Sequence, residues 1–309
     1  MKLLIELPSW IGDTVMATPS LVNLINHFEA PKVTLIGSFV SNELIKNNPF
    51  IEESIILNKN YIDLYNSTKD LGQFDIFISY RGSLRTKIMK KFISSKFKYQ
   101  FDKKKYIIGH TVEKYNCFIN DCIGSNYAPG KLVLKDVLND SISKNKKTLG
   151  LNPGATYGNA KRWYPEEFAK VAVSLSMQYD IIILGSSEEL EIANQIENYL
   201  INNNVTNFQN FAAKTSISEL LSIIKNLDLL VTGDSGPMHI AAAFQIPTVS
   251  IFGPTKDEDT RQWMNDKSIV VKKNLECQPC MRRVCPLNHH NCMRLIKSSE
   301  VLGAIKEFD

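Results

Sequence analysis

Short apolar runs alternate along the chain with longer segments in which apolar residues recur every three or four positions. At the start, residues 2–7 (KLLIEL) predict a buried strand, residues 14–28 (TVMATPSLVNLINHF) a helix and residues 32–37 (KVTLIG) a second strand. The loop between the first strand and the helix is residues 8–13 (PSWIGD). A strand, a helix and a strand in this order indicate a βαβ unit, and therefore a parallel sheet.

The same alternation continues to the end of the chain, with one interruption. Further strands are expected at 54–58, 75–79 and 106–109, and a helix at 111–124, before a polar stretch at 135–147 that has the composition of a linker. The pattern then restarts with short apolar strands, each closed by glycine or proline, between amphipathic helices. These strands are residues 148–154, 179–185, 227–233 and 246–253, and the helices are residues 165–178, 187–201 and 298–308.

Two α/β domains in tandem account for this restart. We place the first domain at residues 1–145 and the second at residues 146–295, followed by a C-terminal helix at 296–309. A chain of 309 residues that is 44% hydrophobic is long enough to bury two cores. In open parallel sheets ligands bind beyond the carboxyl ends of the strands, and the small polar motifs of this sequence follow those ends.

Net charge and hydropathy argue against a nucleic-acid-binding, a membrane-spanning and a secreted protein. The formal net charge of +4 is too small to indicate nucleic-acid binding by itself. No apolar run approaches the roughly 18 to 20 residues that span a bilayer, and Glu6 and Pro8 interrupt the first apolar run before it could act as a signal peptide. We therefore expect a cytoplasmic protein.

The first candidate site lies where the first strand meets the first helix. Gly12 and Asp13 end the loop there, and Thr14 opens the helix. An aspartate at a helix N-terminus is held ionised by the macrodipole and by local N–H donors, as a cap would be. The same carboxylate at a strand end can instead accept a proton from a hydroxyl group. The sequence leaves both roles open.

Two further motifs suit a phosphorylated ligand. Residues 152–168 (NPGATYGNAKRWYPEEF) form a Gly-containing loop after a strand, in which Thr156 precedes Lys161 and Arg162. Two cations beside a hydroxyl group and loop amides suit a diphosphate, although solvated cations in an ordinary connection remain an alternative. Residues 231–255 contain a strand that ends in Asp234, Ser235 and Gly236, with His239 one helical turn beyond Ser235. Free N–H groups at such a helix start favour an anion.

Taken together, the motifs at 12–21, 152–169 and 233–255 resemble glycosyltransferase family 9, the ADP-heptose:lipopolysaccharide heptosyltransferases. The segment CQPCMRRVCPLNHHNCMRLI, residues 277–296, is similar to the Cys-bearing tail of the heptosyltransferase II branch, which adds the second heptose. The resemblance covers essentially the whole chain. It implies an α/β fold of GT-B architecture, with two Rossmann-like domains facing across a cleft and a terminal helix that can pack back on the first domain.

The resemblance also implies roles for particular residues. Asp13 is expected to act as the catalytic base in an inverting transfer of L-glycero-D-manno-heptose from ADP-heptose to the heptosyl-Kdo-lipid A inner core. The resemblance gives the first domain the acceptor and the second domain the nucleotide sugar. The residues that it gives to the donor are Thr156, Lys161, Asp234, Ser235, Gly236 and His239. Apart from the resemblance, Glu188 or Glu189 follows the end of a predicted strand and could bind the ribose hydroxyls, but surface glutamates that open a helix fit the same pattern. Those expected to bind the acceptor are Gly12, Arg81, Ser83 and Arg85.

Acceptor binding is also indicated by a basic segment, residues 81–105. It holds ten basic residues and one acid, Asp102, interleaved with the aromatic residues Phe92, Phe97, Tyr99 and Phe101. Such a segment would attract an anionic lipid headgroup region. A peripheral contact with the inner face of the cytoplasmic membrane is therefore expected. A solvated face or a nucleic-acid-binding module would carry the same charge, and under the transferase reading no nucleic-acid partner is expected.

No metal ligand set is assigned and no cofactor is required under this reading, although the sequence leaves Mg²⁺ dependence open. The acidic triplet at 257–259 is interpreted as a solvated loop. Cys277, Cys280, Cys285 and Cys292 could hold a metal, form a disulfide or remain free. Two enzymatic alternatives stay open, a first-heptose transferase acting on Kdo-lipid A and a GT-B sugar-nucleotide epimerase.

Overall fold

The computed structural model describes residues 1–57, 60–135 and 146–308. The chain divides into two compact units, Met1–Val137 and Leu138–Asp309. The division falls within residues 136–145, which lie outside the described residues. The predicted boundary at 145 and most of the predicted linker at 135–147 lie in the same range. Two α/β units in tandem were expected from the restart of the strand pattern.

The first unit is a five-stranded parallel sheet in the order β3-β2-β1-β4-β5 with helices in the connections. Its elements are β1 Lys2–Glu6, α1 Ile11–His27, β2 Lys32–Gly37, α2 Phe39–Ile45, β3 Ile51–Ile56, α3 Tyr61–Lys69, β4 Gln73–Ser79, α4 Leu84–Phe92, β5 Ser94–Gln100 and α5 Thr111–Ile123. The central strand β1 is apolar from Leu3 to Ile5 because both of its faces are covered. Helix α5 ends as predicted, at Gly124, which adopts a left-handed conformation with φ 65°.

One strand prediction in this unit was wrong. Residues 106–109 form a loop, and the last strand of the sheet is β5, within the segment that the sequence marks as basic. Strand β5 lies at the sheet edge, where lysines and a partly exposed face are tolerated, so it lacks the continuous apolar run of a central strand. Phe101, just after it, is buried against the rings of Tyr106, Tyr115 and Phe118.

The second unit is a six-stranded parallel sheet in the order β11-β10-β9-β6-β7-β8. Its elements are β6 Lys147–Asn152, α6 Pro165–Leu175, β7 Tyr179–Ile183, α7 Leu190–Asn202, β8 Phe208–Asn210, α8 Ile217–Lys225, β9 Leu229–Gly233, α9 Gly236–Ala243, β10 Thr248–Phe252, α10 Asp257–Thr260, β11 Ser268–Lys272, α11 Asn291–Arg294 and α12 Ser298–Ile305. Short 3₁₀ turns lie at Asn159–Lys161, Ser187–Glu189 and Lys306–Phe308. This strand order is that of a doubly wound dinucleotide-binding fold.

The C-terminal helix α12 is part of the core of the second unit. Its residues Val301, Ala304 and Ile305 are buried there, and the helix packs against α6, β10 and β11. Nearby, the buried indole of Trp163 donates a hydrogen bond from Nε1 to the Ile296 carbonyl at 3.0 Å. Helix α12 is thus built into the core of the second unit, and its packing against the first domain stays a prediction.

The strand orders place the candidate motifs. In each sheet the order reverses at one point, between β1 and β4 in the first unit and between β6 and β9 in the second. Ligands of such sheets bind outside the carboxyl ends of the strands at these switch points. Asp13 follows β1, Arg81 follows β4, Lys161 follows β6 and Asp234 follows β9. None of the helices in the described ranges is long and apolar enough to cross a membrane.

Candidate active site

Lys161 and Asp234 form the centre of the candidate site in the second unit. The Lys161 ammonium makes an ion pair with the Asp234 carboxylate and also donates to the Asp234 backbone carbonyl at 3.2 Å. Only 12% of the lysine side chain and 6% of the aspartate side chain are exposed to solvent. Both residues were predicted to bind the donor, and in the structure they are paired with each other.

Two threonine hydroxyl groups also lie at the Asp234 carboxylate. Thr255, just beyond β10, donates from Oγ1 to Asp234 Oδ2 at 2.7 Å, and Thr260 Oγ1 lies 3.5 Å from Asp234 Oδ1. Sequence reasoning missed Thr255 as a site residue. The signal that could have found it is its place after Gly253 and Pro254, because β10 lies next to β9 and its carboxyl end reaches the same sheet edge.

Ser235 is held by a polar network at the carboxyl ends of β6 and β9. Asn152 donates from Nδ2 to the hydroxyl of Ser235 at 2.8 Å and to that of Thr232 at 3.0 Å. The backbone at Gly233 lies close to that at Lys161 here: a Cβ atom on Gly233 would lie 3.4 Å from the Lys161 carbonyl oxygen. The network fixes the turn that starts helix α9, and so fixes where the N–H of Gly236, its first residue, lies.

The other predicted donor residues lie at different depths. His239 is buried within α9, whereas Thr156 is exposed on the loop after β6. Next to Thr156, the ring of Tyr157 lies close to two cations, with Lys161 Nζ 4.8 Å and Arg283 Cζ 5.2 Å from its centroid. The loop therefore presents an aromatic face as well as charge, which the sequence analysis did not predict.

Of the two glutamates considered for ribose, the structure brings Glu189 rather than Glu188 to the loop after β6. Glu188 is exposed, while Glu189 is 6% exposed and accepts a hydrogen bond from the Ser186 amide at 2.8 Å. Its carboxyl group lies directly against Gly154, where an added Cβ would come within 1.9 Å of the Glu189 Cδ atom. Glycine at 154 is what allows this approach.

In the first unit, Gly12 and Asp13 occupy the first turn of helix α1 and are partly exposed. Thr14 Oγ1 donates to the carbonyl oxygens of Pro8, at 3.2 Å, and Trp10, at 2.9 Å, which fixes the loop that leads into the helix. Burial raises the pKa of the Tyr115 phenol well above its usual value, and the nearby Asp13 carboxylate raises it further. Asp13 is therefore placed at the carboxyl end of β1 and next to α5.

Three of the four predicted acceptor residues, Arg81, Ser83 and Arg85, lie around the start of α4. Ser83 is the N-cap of this helix, and its hydroxyl accepts from the Thr86 amide at 3.1 Å. Nη1 of the Arg81 guanidinium lies 3.6 Å from Oε1 of Glu6, whose carboxylate is buried. Glu6 was absent from the candidate residues because it ends an apolar strand and belongs to no motif.

The four late cysteines line one cavity together with His289, His290 and Ala160 of the loop after β6. All six cysteines are free thiols. Burial, with the other three thiols nearby, raises the pKa of Cys292 to about 11. Within the described ranges no three histidine, cysteine, aspartate or glutamate side chains are arranged to hold a metal ion. The segment still contacts the site, since His290 Nε2 lies 2.9 Å from the Ala160 carbonyl oxygen.

Comparison with known proteins identifies the family. Residues 110–291 match the profile of glycosyltransferase family 9 (heptosyltransferase). A lipooligosaccharide heptosyltransferase 2 of Campylobacter jejuni is 41% identical, over 99% of this chain and 98% of its own length. This chain belongs to glycosyltransferase family 9. The resemblance carried by the three motifs is thereby confirmed.

Solved structures agree with the family 9 fold. The Escherichia coli ADP-heptose LPS heptosyltransferase II aligns with a TM-score of 0.82 at 20% identity, covering 99% of this chain and 98% of its own. E. coli heptosyltransferase WaaC with ADP aligns with a TM-score of 0.80 at 15% identity, covering 99% of both chains. The predicted α/β fold class of the GT-B type is confirmed, and the family 9 chain is a glycosyltransferase, the enzyme class expected from its motifs.

Proposed function

We propose that this glycosyltransferase transfers L-glycero-D-manno-heptose from ADP-heptose to the heptosyl-Kdo-lipid A inner core, with inversion at the anomeric carbon. The observation that carries the proposal is the Lys161–Asp234 pair at the switch point of the second sheet, in a chain of family 9. The C. jejuni relative, which aligns with 99% of this chain, is a lipooligosaccharide heptosyltransferase 2. This likeness supports transfer of the second heptose rather than the first.

The second unit supplies the groups that a departing diphosphate requires. Negative charge builds on the diphosphate as the glycosidic bond to ADP breaks. The Lys161 ammonium and the Gly236 N–H at the start of α9 offer a positive charge and a donor at fixed positions, because Asp234 and the Asn152 network hold them. Groups organised before the reaction need no rearrangement in the transition state, and this is the largest source of catalysis in many enzymes.

The first unit supplies the base. In the proposed step the Asp13 carboxylate takes the proton of an acceptor hydroxyl while the hydroxyl oxygen attacks the anomeric carbon. A carbon–oxygen bond to the acceptor forms, the carbon–oxygen bond to ADP breaks, and the electron pair of that bond leaves with the diphosphate. The position of Asp13 in the first turn of α1 stabilises its ionised form through the helix macrodipole, so the carboxylate is ready to accept a proton.

The test is incubation of the purified chain with ADP-heptose and heptosyl-Kdo-lipid A, with the products read by mass. We expect the acceptor to gain one heptose and ADP to be released. A parallel reaction with Kdo-lipid A tests the first-heptose alternative, and a reaction with EDTA tests Mg²⁺ dependence, where we expect the rate to stay unchanged. An acceptor of unaltered mass in both arms, or heptose epimerised while still attached to ADP, would contradict the proposal.

We also propose that the basic segment, residues 81–105, contacts the inner face of the cytoplasmic membrane. Phe92 and Phe97 are exposed within it, at 42% and 57%, next to lysines of α4 and β5. Cations beside exposed apolar side chains suit an anionic bilayer surface.

The chain should therefore sediment with vesicles that contain phosphatidylglycerol and should be released as salt concentration rises. Vesicles of phosphatidylcholine alone are the control. Equal binding to both vesicle types, or binding to neither, would exclude this surface as a membrane contact.

A further inference from the structure

Strand β1 ends in a buried carboxylate that neither the base nor the donor site uses. Glu6 is 1% exposed, and its neighbours in the parallel register are Ile36 on β2 and Ser79 on β4. An apolar residue would fill this position at less cost, because burying a carboxylate costs several kcal/mol unless partners compensate. Its partners therefore indicate what it does.

One oxygen of Glu6 ties the end of β4 to the start of α4. Oε2 accepts hydrogen bonds from the Ser79 hydroxyl at 2.6 Å and from the Thr86 hydroxyl at 2.8 Å. Ser79 Oγ in turn accepts from the Arg81 amide at 3.0 Å. The loop between β4 and α4, which holds the predicted acceptor residues, is thus fixed at both ends through a single carboxylate.

The other oxygen faces a cation. Among the residues that the structure describes, none donates a hydrogen bond to Glu6 Oε1, which lies 3.6 Å from Arg81 Nη1. The arginine side chain is 23% exposed, so its guanidinium reaches from the buried carboxylate towards solvent. Burial raises the pKa of Glu6, while the hydrogen bonds from Ser79 and Thr86 and the charges of Arg81 and Arg85 lower it.

We propose that Glu6 is a positioning residue for acceptor binding, which acts through Arg81. It anchors one edge of the guanidinium at the carboxyl ends of β1 and β4, and a guanidinium has five N–H donors, so others remain for an anionic group of the acceptor. It also holds the loop that carries Arg81. This inference rests on the proposed function, because it assigns the anion to a phosphorylated lipid acceptor.

The decisive variant is Glu6→Gln, which keeps the volume and one oxygen that can accept from Ser79 and Thr86 but removes the charge. We expect the KM for heptosyl-Kdo-lipid A to rise on the order of tenfold, the effect of one weakened charge-assisted contact. The kcat and the KM for ADP-heptose should stay within about twofold, because Glu6 touches neither the base nor the donor site. A purely structural role would instead lower the melting temperature without this selective rise.

Arg81→Gln and the double variant test whether the effect passes through the arginine. If it does, Glu6→Gln adds nothing to the acceptor KM in the Arg81→Gln background. A matched control is Glu167→Gln, which removes another carboxylate, 6% exposed, that binds Lys170 and the Ser298 amide in the second unit. This control should leave the acceptor KM unchanged.

An unchanged acceptor KM in Glu6→Gln, or independent effects in the double variant, would overturn the inference. If Glu6→Gln fails to fold, Thr86→Val removes one of the hydroxyls that hold Oε2 and should raise the same KM by a smaller factor. A Thr86→Val enzyme with wild-type acceptor KM would also count against it. If the wild-type chain transfers no heptose, the proposed function fails, whereas an active wild type with an unaffected Glu6→Gln variant rejects this inference alone.

Discussion

Replacing Asp13 by asparagine should lower kcat by about 10² to 10⁴ while leaving the affinity for ADP unchanged. Asparagine has nearly the same shape and can still accept a hydrogen bond at the start of α1, but it cannot take a proton from the acceptor hydroxyl. Steady-state rates with ADP-heptose and heptosyl-Kdo-lipid A, together with ADP titration by calorimetry, separate the two quantities.

Asp70→Asn is the matched control for this variant. Asp70 follows helix α3 of the same unit, and its side chain is 83% exposed, so the same chemical change there should leave kcat unaltered. Thermal unfolding of both variants checks that the fold persists. Near wild-type turnover in Asp13→Asn would remove Asp13 as the base and leave it the role of a first-turn carboxylate that stabilises α1 through the helix macrodipole.

Replacing Lys161 by alanine should have the second large effect, in the other unit. Loss of one preorganised donor to a developing negative charge typically costs about 10² to 10³ in kcat. ADP affinity should fall as well, because the ammonium is removed while the buried Asp234 carboxylate stays and repels a diphosphate. The measurements are kcat and the dissociation constant of ADP at two salt concentrations.

The pairing of Lys161 with Asp234 supplies the internal control for that variant. The double variant Lys161→Ala with Asp234→Asn should recover part of the ADP affinity, because the repulsive carboxylate is then neutral. It should also recover part of the lost melting temperature, since removing one member of a buried ion pair leaves an uncompensated charge. If the double variant binds ADP no better than Lys161→Ala, the carboxylate does not face the nucleotide.

The architecture could be predicted from the sequence because its cues are local. Apolar runs closed by glycine or proline marked β6, β7, β9 and β10, and the spacing of apolar residues marked the helices between them. The edge strand β5 was not predicted from the sequence. One of its faces is open to solvent, and its lysines therefore interrupt the apolar pattern that marks central strands. Residues 106–109 were chosen instead because they are apolar, yet Ile108 is 87% exposed.

The site could be predicted only in part, because its geometry depends on strand order. Motifs identified Asp13, Lys161 and Asp234 as site residues, but nothing in the spacing indicates that Lys161 and Asp234 pair, since the sequence does not show that β6 and β9 are neighbours. Thr255 and Glu6 were missed for the same reason. Their partners lie on other strands and helices, and a lone carboxylate in an apolar strand matches no motif.

The burial of α12 in the core of the second unit constrains how the protein can be shortened. A truncation before residue 298 would remove Val301, Ala304 and Ile305 from that core, and one that also removed Ile296 would leave the Trp163 indole without its acceptor. Trp163 immediately follows Lys161 and Arg162, so the disturbance would reach the loop after β6 directly. Helix α12 therefore completes the core of the second unit, and a fusion partner is better attached after this helix than in its place.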